Sequence, residues 1–565
     1  MGAVTLLAGL MAASASAQRL LPDQRPADQL PELPPYEASE SRVGPILPPY
    51  PIPDEPGTED LEAGARIRIE KIRIAGNTVV PSGELQKIAA PYEGRALSFS
   101  DLQTLRDRLT LAYVERGFAT SGATLPEQSI EDGVVEIQIV EGRLTEIDVE
   151  TDGRFRPSYF EKRIAHAQRG VLNVIELQKQ LQVLQFDPLI ERLQAQLEPT
   201  AIRGQSRLTL AVYQTPGYAL AADFDNYRSP AIGALGGGLR GQFSNLIGVG
   251  DLYFGRFTGS AGLRQGEVRF ELPINVWDTV LGVRYQYTEG DVVDSQFAAL
   301  GIGSESEAVG FELRQPLYRT LQTTLGASVF ADWRRAQSFL FGGEIGLPTP
   351  YSEDGRSQVS VLRFGLDASY RSRSQSLAFR TLLSWGVDIL GATQTAGQVP
   401  SGRFVSWLGQ IQWASRLPWQ DIQLLARFDS QLSPDPLLPL EQFAIGGRFS
   451  VRGYRENTLV RDNGFSGSVE LRVPVYGRSD PGMRIEIVPF VDVGRAWDNP
   501  RRINGQLLSS SAKTLASVGL GTRVAFTRWG FGELFWGHRL QSVQNPGDSN
   551  LQDDGIQFRI SLQWP

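Results

Sequence analysis

The stretch Ile556–Trp564, IQFRISLQW, alternates apolar and polar side chains at every step. Successive side chains of a β-strand point to opposite faces, so this spacing gives one apolar face and one polar face. The same pattern recurs from residue 215 onward, for example in Leu281–Thr288 and in Tyr218–Asp225. Each segment has about ten or more residues, which is the length that a tilted strand needs to cross hydrocarbon.

Residues 215–565 are therefore predicted to form a transmembrane antiparallel β-barrel of about 16 strands. In lipid every backbone polar group must be paired, and strands meet this demand only in a closed sheet. The apolar faces would contact lipid, and the other faces would line a hydrated lumen. A soluble β-sandwich would not carry charge on one face of so many long strands, as the predicted inward set does: Glu267, Arg269, Glu271, Arg284, Glu470, Arg472 and Asp492.

The connections between these segments fall into a short and a long group. Tight turns are predicted at Leu246–Gly250, Pro273–Asn275, Pro316–Arg319, Arg371–Arg373 and Leu417–Trp419. Long loops are predicted at Gly290–Gly303, Ser338–Gly355, Gly391–Gly402, Ser433–Asn463, Asn499–Lys513 and Gln541–Asp554. Short turns on one rim and long loops on the other are typical of outer-membrane barrels, with the short rim in the periplasm.

The first 65 residues have the features of a leader and a spacer. Residues 1–17 are an apolar run that ends in Ala15-Ser16-Ala17, which predicts a secretory signal peptide with a small-residue cleavage site. Residues 18–65 are rich in proline, as in PILPPYPIPDEP at 45–56. Proline at this density favours an extended spacer, and we predict a linker or possible plug region here.

Between the spacer and the barrel, residues 66–142 and 143–214 show the same order of elements. Each is predicted as strand, helix, helix, strand, strand, which indicates two consecutive α+β domains. In the first domain one strand with a change of phase is predicted at Ile67–Ile74, and a helix around Leu85–Ala89. Ser100 and Gln103 predict a capping box for the next helix, whose apolar stripe is Leu102, Leu105 and Leu109.

The second domain and the rest of the first follow from the same patterns. A short strand is predicted at Phe118–Thr124, and a further strand is predicted from the alternation of Val135, Ile137 and Ile139. The second domain is predicted to have a strand at Leu144–Val149, a helix at Pro157–Ala167, a helix opened by Asn173 with Glu176 and striped by Leu177, Leu181 and Leu184, and strands near Ala195–Leu197 and Leu208–Val212.

Composition excludes several classes of function. The formal net charge of −8 and the scattered Lys and Arg residues give no support for nucleic-acid binding. The chain has no Cys and only two histidines, His166 and His538, in different domains, so no metal site or nucleophilic triad is expected. The segment Gly236–Gly241 matches G-x-G-x-x-G, but it lies in a predicted strand with no helix after it. We expect no cofactor, no nucleotide and no enzymatic activity.

Two motifs interrupt the repetitive barrel pattern. The longest predicted loop contains IGGRFSVRGY at Ile445–Tyr454, and a predicted strand contains PFVDVGR at Pro489–Arg495. In that strand Phe490, Asp492 and Gly494 share one face, opposite two valines. With the valines on lipid, the Asp492 carboxylate would lie in the lumen.

These two motifs resemble the paired signatures of two-partner secretion transporters, the haemolysin secretion/activation type (ShlB/FhaC/HecB). That family has two polypeptide-transport-associated (POTRA) domains before a sixteen-stranded barrel, and its superfamily includes the barrel-assembly insertases. The resemblance covers nearly everything after Arg66. Two features depart from the family: no plug helix can be placed before Arg66, and Leu197-Glu198-Pro199 is followed by Thr200 where the family tends to have glycine.

The resemblance implies that the long loop folds back into the barrel. Its motif Val451, Arg452, Gly453 and Tyr454 would then place Arg452 against Asp492 on the inner wall. An inward carboxylate is a suitable partner for a guanidinium, because the two can form a bidentate pair. The pair could act only as a brace, or it could also take part in gating.

The function implied is export of a large partner protein, an adhesin or a haemolysin, from the periplasm to the cell surface. The periplasmic domains would bind this client by adding its extended chain to an exposed sheet edge. The barrel would contact outer-membrane lipid. The alternative is an insertase that assembles other barrels, which shares the architecture but commonly carries more periplasmic domains. A porin or solute channel would need neither the two domains nor the Arg452 motif, and a membrane enzyme has least support.

Overall fold

In a computed structural model of the chain, the structure describes residues 46–48, 66–130, 132–343, 345–349, 351–395, 399–419, 421–477, 482–503, 506–508, 511–526, 530–545 and 547–564. The predicted signal peptide, and the linker or plug region apart from residues 46–48, lie outside the described residues. The chain divides into two compact units. One contains residues 39–215 with 247–250, and the other contains residues 216–246 and 251–565.

The first α+β domain has the predicted elements in the predicted order, and one further short strand lies between its two helices. It consists of β1 (Ile67–Ile69), β2 (Lys71–Ala75), α1 (Ser82–Ala89), a 3₁₀ turn (Ala90–Tyr92), β3 (Arg95–Leu97), α2 (Phe99–Val114), β4 (Gly122–Thr124) and β5 (Val134–Val140). The sheet order is β2-β5-β4, with β2 parallel to β5, and β1 pairs with β3. The predicted phase-slipped strand is two strands separated by Glu70. The break lets Ile69 and Ile72 both reach the core.

The predicted capping box of α2 is wrong by two residues. The helix begins at Phe99, and Ser98 is its cap: the Ser98 hydroxyl accepts from the backbone N–H of Asp101, and Asp101 accepts from the backbone N–H of Ser98. Ser98 has extended backbone angles, as a cap requires, whereas Ser100 is already inside the first turn. The predicted stripe is confirmed, because Leu102, Leu105 and Leu109 are buried.

The second α+β domain repeats the order, as predicted. It consists of β6 (Arg143–Asp152), α3 (Pro157–Ala167), α4 (Val174–Gln185), β7 (Ile190–Pro199) and β8 (Gln205–Gln214). The sheet order is β6-β8-β7, with β6 parallel and β7 antiparallel to β8. The predicted start of α4 is confirmed, because the Asn173 side chain accepts from the backbone N–H groups of Ile175 and Glu176.

Sixteen of the remaining described strands form a closed antiparallel barrel. Its strands are β9 (Tyr218–Asp225), β10 (Gly236–Ser244), β11 (Leu252–Ser260), β12 (Leu263–Pro273), β13 (Val280–Asp291), β14 (Gly303–Arg319), β15 (Thr323–Leu340), β16 (Arg356–Arg371), β17 (Gln375–Val387), β18 (Val405–Arg416), β19 (Gln423–Leu432), β22 (Asn463–Tyr476), β23 (Met483–Trp497), β26 (Lys513–Phe526), β27 (Gly530–Arg539) and β28 (Ile556–Trp564). Strand β28 pairs with β9 and closes the ring. Sixteen described strands thus span the ring, which confirms the prediction.

Smaller elements decorate the loops. The long loop after β19 contains the hairpin β20 (Phe443–Ile445) and β21 (Leu459–Arg461), and a second hairpin is formed by β24 (Arg501–Ile503) and β25 (Gln506–Leu508). A two-residue strand, Ile345–Gly346, pairs with the end of β15. Short 3₁₀ turns lie at Pro230–Ile232, Ala298–Leu300, Phe341–Gly343 and Pro439–Glu441.

The two rims differ as predicted, with two exceptions. Residues 261–262 connect β11 and β12 with a two-residue turn on the rim that otherwise carries the long loops. The turn predicted at Pro316–Arg319 is wrong, because β14 continues to Arg319 and the turn is formed by residues 320–322. Proline cannot donate to the strand ladder, and the register instead shifts between Pro316 and Tyr318.

The alternation of side chains follows the prediction along the barrel. On β23, Val491 and Val493 are exposed on the outer surface, whereas Phe490 and Asp492 are buried inside. On β28, Ile560, Leu562 and Trp564 are exposed, and the intervening Ser561 is buried. The outer surface is thus an apolar surface suited to lipid. None of the described helices has the length and apolar character to cross a membrane.

Candidate functional site

The long loop of residues 433–462, between β19 and β22, lies inside the barrel and is called the inserted loop below. Its motif residues Val451, Arg452 and Tyr454 are buried, and it packs with Ala496 of β23 and Leu515 of β26. These motif residues thus lie within the barrel.

Arg452 is the centre of a buried ion network. Its Nε and Nη2 donate to Asp492 Oδ2 and Oδ1 at 2.8 and 2.7 Å, and its backbone N–H donates to Asp492 Oδ2 at 2.9 Å. Its Nη1 donates to Glu470 Oε2 at 2.7 Å, and Nη2 also donates to Ser468 Oγ at 2.8 Å. Asp492 was predicted as the partner, whereas Glu470 was predicted only to face inward. A residue with five donors in a fixed fork is needed to satisfy three wall groups together.

Each position of the F-x-D-x-G motif has a separate contact with the loop. The guanidinium carbon of Arg452 lies 3.6 Å from the centre of the Phe490 ring, so the cation stacks on an aromatic face. Asp492 supplies the charge. A Cβ at Gly494 would lie 3.0 Å from Val451 Cγ2 and 3.2 Å from Ile445 Cδ1, which is tighter than ordinary contact. Glycine at this position therefore makes room for the loop.

Gly453 and Tyr454 fix the other side of the loop tip. Gly453 has φ of +87°, and a Cβ there would lie 2.6 Å from the carbonyl oxygen of Gly537 on β27. Only glycine combines this backbone conformation with so close an approach. The Tyr454 hydroxyl lies 3.0 Å from the carbonyl oxygens of Ala516 and Gln541. All seven motif residues predicted from the sequence therefore lie at one place.

A second ion pair of the inserted loop was missed by the sequence analysis. Arg448 Nη2 donates to Glu533 Oε2 at 3.0 Å, and the Tyr227 hydroxyl donates to Glu533 Oε1 at 3.0 Å. Glu533 has the inward phase of β27, because its neighbour Leu534 is exposed outside. That phase is readable in the sequence, but its partner is 85 residues away and comes from a loop.

The sequence analysis also considered metal ligands, the two histidines and a glycine-rich segment. Among the described residues, no group of three or more His, Asp or Glu side chains is placed to hold a metal ion. His538 lies on β27, and His166 lies in the last turn of α3. The segment Gly236–Gly241 lies in β10, as expected, and has no helix after it.

A closed sixteen-stranded barrel with an ion-paired loop in its lumen, together with periplasmic α+β domains, defines an outer-membrane polypeptide transporter. A family model for the haemolysin secretion/activation protein ShlB/FhaC/HecB matches residues 204–524, and the POTRA domain, ShlB-type, matches residues 67–142. The chain belongs to the haemolysin secretion/activation family. It is a transporter of the two-partner secretion type in the outer membrane, with its N-terminal domains in the periplasm.

Individual relatives agree with this assignment at low identity. The chain is 25% identical over 464 residues to the outer membrane transporter CdiB of Escherichia coli O6:K15:H31 (strain 536 / UPEC), which covers 79% of this chain and 74% of that protein. It is 21% identical over 441 residues to the heme/hemopexin transporter protein HuxB of Haemophilus influenzae strain Rd, covering 75% and 76%. The solved structure of CdiB from Escherichia coli has the same fold, with a TM-score of 0.64, 21% identity and coverage of 91% and 94%.

Proposed function

We propose that this transporter exports one large secreted protein, an adhesin or haemolysin-like client, and that the inserted loop is the movable obstruction on its route. The observation that supports this most is the position of Arg452, which holds the loop in the lumen through a charge pair that the wall supplies. An ion pair between a loop and a strand can be broken without disturbing the strand ladder. The loop can therefore leave its position in the lumen while the barrel strands stay paired.

We further propose that the client is captured at a sheet edge in the periplasm. In the second α+β domain, β6 and β7 are the outer strands of the described sheet, and each has ten residues. An extended client can add to such an edge through main-chain hydrogen bonds, with little demand on its sequence. The domain boundaries 66–142, 143–214 and 215–565, and a signal peptide at 1–17, belong to the same proposal.

The transport step needs no chemistry in this proposal. The protein is not an enzyme, uses no nucleotide or cofactor, and contacts the client, lipid and no nucleic acid. Folding of the client on the cell surface supplies the direction, because a folded product cannot return through the lumen. The names CdiB and HuxB belong to relatives of 21–25% identity, so neither indicates the client of this chain.

Reconstitution tests the proposal directly. Proteoliposomes containing the purified transporter should take a partner polypeptide across the bilayer with no nucleotide present. A large, repeat-rich secreted protein encoded in a neighbouring reading frame would be the first partner to try. Strict dependence on nucleotide would contradict the proposal.

The alternative function, insertion of other barrels, predicts a different phenotype. Depletion of an insertase should lower many outer-membrane proteins together. Depletion of this transporter should abolish one large secreted protein and leave the outer-membrane profile intact.

A further inference from the structure

A second buried ion cluster holds the inserted loop at a different wall of the barrel. Glu441, in the short 3₁₀ turn at Pro439–Glu441, has a side chain that is fully buried. Arg363 of β16 donates to it from both terminal nitrogens, Nη1 to Oε2 at 3.0 Å and Nη2 to Oε1 at 2.8 Å. Arg334 of β15 approaches the same carboxylate at 3.4 Å and donates to the backbone carbonyl of Leu440 at 3.3 Å.

The wall part of this cluster is built to receive an anion. Arg363 also donates to Asp332 Oδ2 at 2.8 Å and to Ser384 Oγ at 2.7 Å, which fixes the direction of its guanidinium. Arg284 lies 3.7 Å from the other oxygen of Asp332. Three arginines, at 284, 334 and 363, thus surround a single wall carboxylate, Asp332, and the carboxylate of Glu441 arrives from the loop. Without the carboxylate of Glu441 the wall would keep an excess of buried positive charge, which is costly.

Apolar side chains surround the cluster and exclude water from it. Leu437, Leu438 and Leu440 of the loop are buried against Val359 and Val361 of β16. Exclusion of water strengthens the attraction between the charges and raises the cost of leaving either partner alone. The Gln431 side chain also donates to the backbone carbonyl of Glu441 at 2.8 Å.

Two ion clusters thus hold the inserted loop, and they are called the Arg452 anchor and the Glu441 anchor. The two anchors have opposite polarity and lie on different parts of the barrel wall. At the Arg452 anchor the loop supplies the cation, and β22 and β23 supply the anions. At the Glu441 anchor the loop supplies the anion, and β15 and β16 supply the cations. Three strands, β17, β18 and β19, separate the two walls in the ring. The inserted loop is therefore held at two places on the barrel wall. Its complete withdrawal from the lumen breaks the ion pairs at both places.

We propose that Glu441, held by Arg363 and Arg334, is a second positioning residue that keeps the loop inserted. Release of Arg452 frees the loop tip, and release of Glu441 frees the stem at residues 437–441. Client passage requires both. This inference rests on the proposed role of the loop as a movable obstruction.

Thiol labelling of the intact transporter tests the inference. The natural chain has no cysteine, so Leu438→Cys introduces a single thiol at a fully buried position of the loop stem. Its rate of reaction with a charged maleimide reports how often the stem leaves its buried position. Glu441→Gln is added to this background and compared with Asp492→Asn. Arg380→Gln is the control in the wall, because it removes an ion pair between two barrel strands, that of Arg380 on β17 with Asp367 on β16 at 2.7 Å.

We expect Glu441→Gln to raise the labelling rate about tenfold or more, since loss of one partner of a buried ion pair is strongly destabilising. The channel conductance of Glu441→Gln in planar bilayers should also rise. Arg380→Gln should change neither the labelling rate nor the conductance. Equal increases in Glu441→Gln and Arg380→Gln would overturn the inference, because they would indicate general loosening of the barrel.

Two other outcomes separate this inference from the proposed function. If the labelling rate rises in Asp492→Asn but not in Glu441→Gln, the second anchor is overturned, and the proposed role of the loop as a movable obstruction is retained. No increase in either variant would overturn both. Heat-modifiable mobility on gels shows that each barrel is folded, and Glu441→Asp replaces Glu441→Gln if the latter does not insert. The shorter side chain keeps the charge but draws it back from Arg363, so a smaller increase is expected, and no increase overturns the second anchor.

Discussion

The Arg452 guanidinium makes two parallel hydrogen bonds, of 2.7 and 2.8 Å, to the carboxylate of Asp492, and the backbone N–H of Arg452 donates a third at 2.9 Å. One carboxylate therefore fixes both the side chain and the main chain of the loop tip. Asp492 is held in turn by the Ser468 hydroxyl at 2.6 Å. The pair lies inside the barrel wall, whereas Val491 and Val493, on either side of Asp492, are exposed on the outer surface.

Removal of either partner should impair secretion while the barrel still inserts. Arg452→Ala leaves Asp492 buried without its cation and leaves Glu470 with Arg472 alone. Asp492→Ala leaves the Arg452 cation with Glu470 alone. We expect each to lower secretion of the client by about tenfold or more, because unpaired buried charge is costly. The amount of client in the medium is measured against the amount of heat-modifiable barrel in the membrane. Normal export by both variants would remove this pair from the mechanism.

Arg452→Lys should not restore transport. Lysine keeps the charge but has one nitrogen, which cannot make the parallel bonds to Asp492 and reach Glu470 and Ser468 as well. We expect secretion closer to that of Arg452→Ala than to that of the natural chain, by the same measurement. Full activity of the lysine variant would show that charge alone suffices.

Gly453→Ala should displace the loop tip, because the added Cβ would meet the backbone of Gly537 and the residue has positive φ. Secretion should fall by about tenfold or more as the strained tip is held in the wrong place. Gly255→Ala on β11 is the control, since a Cβ at that position meets nothing within 4 Å. Equal losses in the two variants would contradict a specific role for Gly453.

Ser98→Ala should destabilise the start of α2 by about 1 kcal/mol, because Ser98 and not Ser100 is the cap. Hydrogen exchange of the intact transporter reports this as faster exchange of the Asp101 and Leu102 amides. Ser100→Ala is the matched control, and it should leave these amides nearly unchanged because alanine is favourable within a helix. The opposite result would restore the cap predicted from the sequence.

Glu141 should make the first α+β domain sensitive to acid. Burial raises the pKa of Glu141, but hydrogen bonds from the Thr78 hydroxyl, the backbone N–H groups of Thr78 and Val79, and the Tyr113 hydroxyl lower it more, so the pKa lies below its ordinary value of 4.5. A carboxyl group whose pKa is lowered by folding stabilises the fold above its unfolded pKa. That stability is lost as the pH falls from about 4.5 through the folded pKa.

The test follows exchange of the Thr78 and Val79 amides with decreasing pH. Protection beyond the intrinsic pH effect should fall below pH 4.5 in the natural chain. In Glu141→Gln protection should be low throughout. Glu115→Gln, at an exposed position at the end of α2, should behave like the natural chain. Retained acid sensitivity in Glu141→Gln would assign the effect to another group.

Much of this architecture could be predicted from local patterns. Period-two alternation gives the barrel strands, because each outward side chain meets lipid and each inward one meets water or another charge. The pairing of Arg452 with Asp492 came from the family resemblance. Local patterns did not predict which charged residues pair with each other when they lie far apart in the sequence. Glu441 reads as an ordinary loop residue in LPLEQF, and its partners Arg363 and Arg334 are 78 and 107 positions away, on strands whose charges look like any other inward set.

The errors in the prediction also have local physical causes. Ser100 and Ser98 both precede an apolar stripe, and only the extended backbone at Ser98 selects the cap. Pro316 suggested a turn, but on a long strand its missing N–H is accommodated by a shift of register.

A disulfide between the inserted loop and β23 tests most directly whether the loop must move for secretion. A Cβ at Gly494 would lie 3.0 Å from Val451 Cγ2, so the two Cβ atoms fall near the roughly 3.5–4.5 Å that a disulfide spans. In Val451→Cys/Gly494→Cys, oxidation should link the loop to β23 and stop secretion. A reductant should raise secretion again to the level of the two single variants, which are the controls. Undiminished secretion from the fully cross-linked transporter would show that the client passes without moving the loop, and would contradict the account.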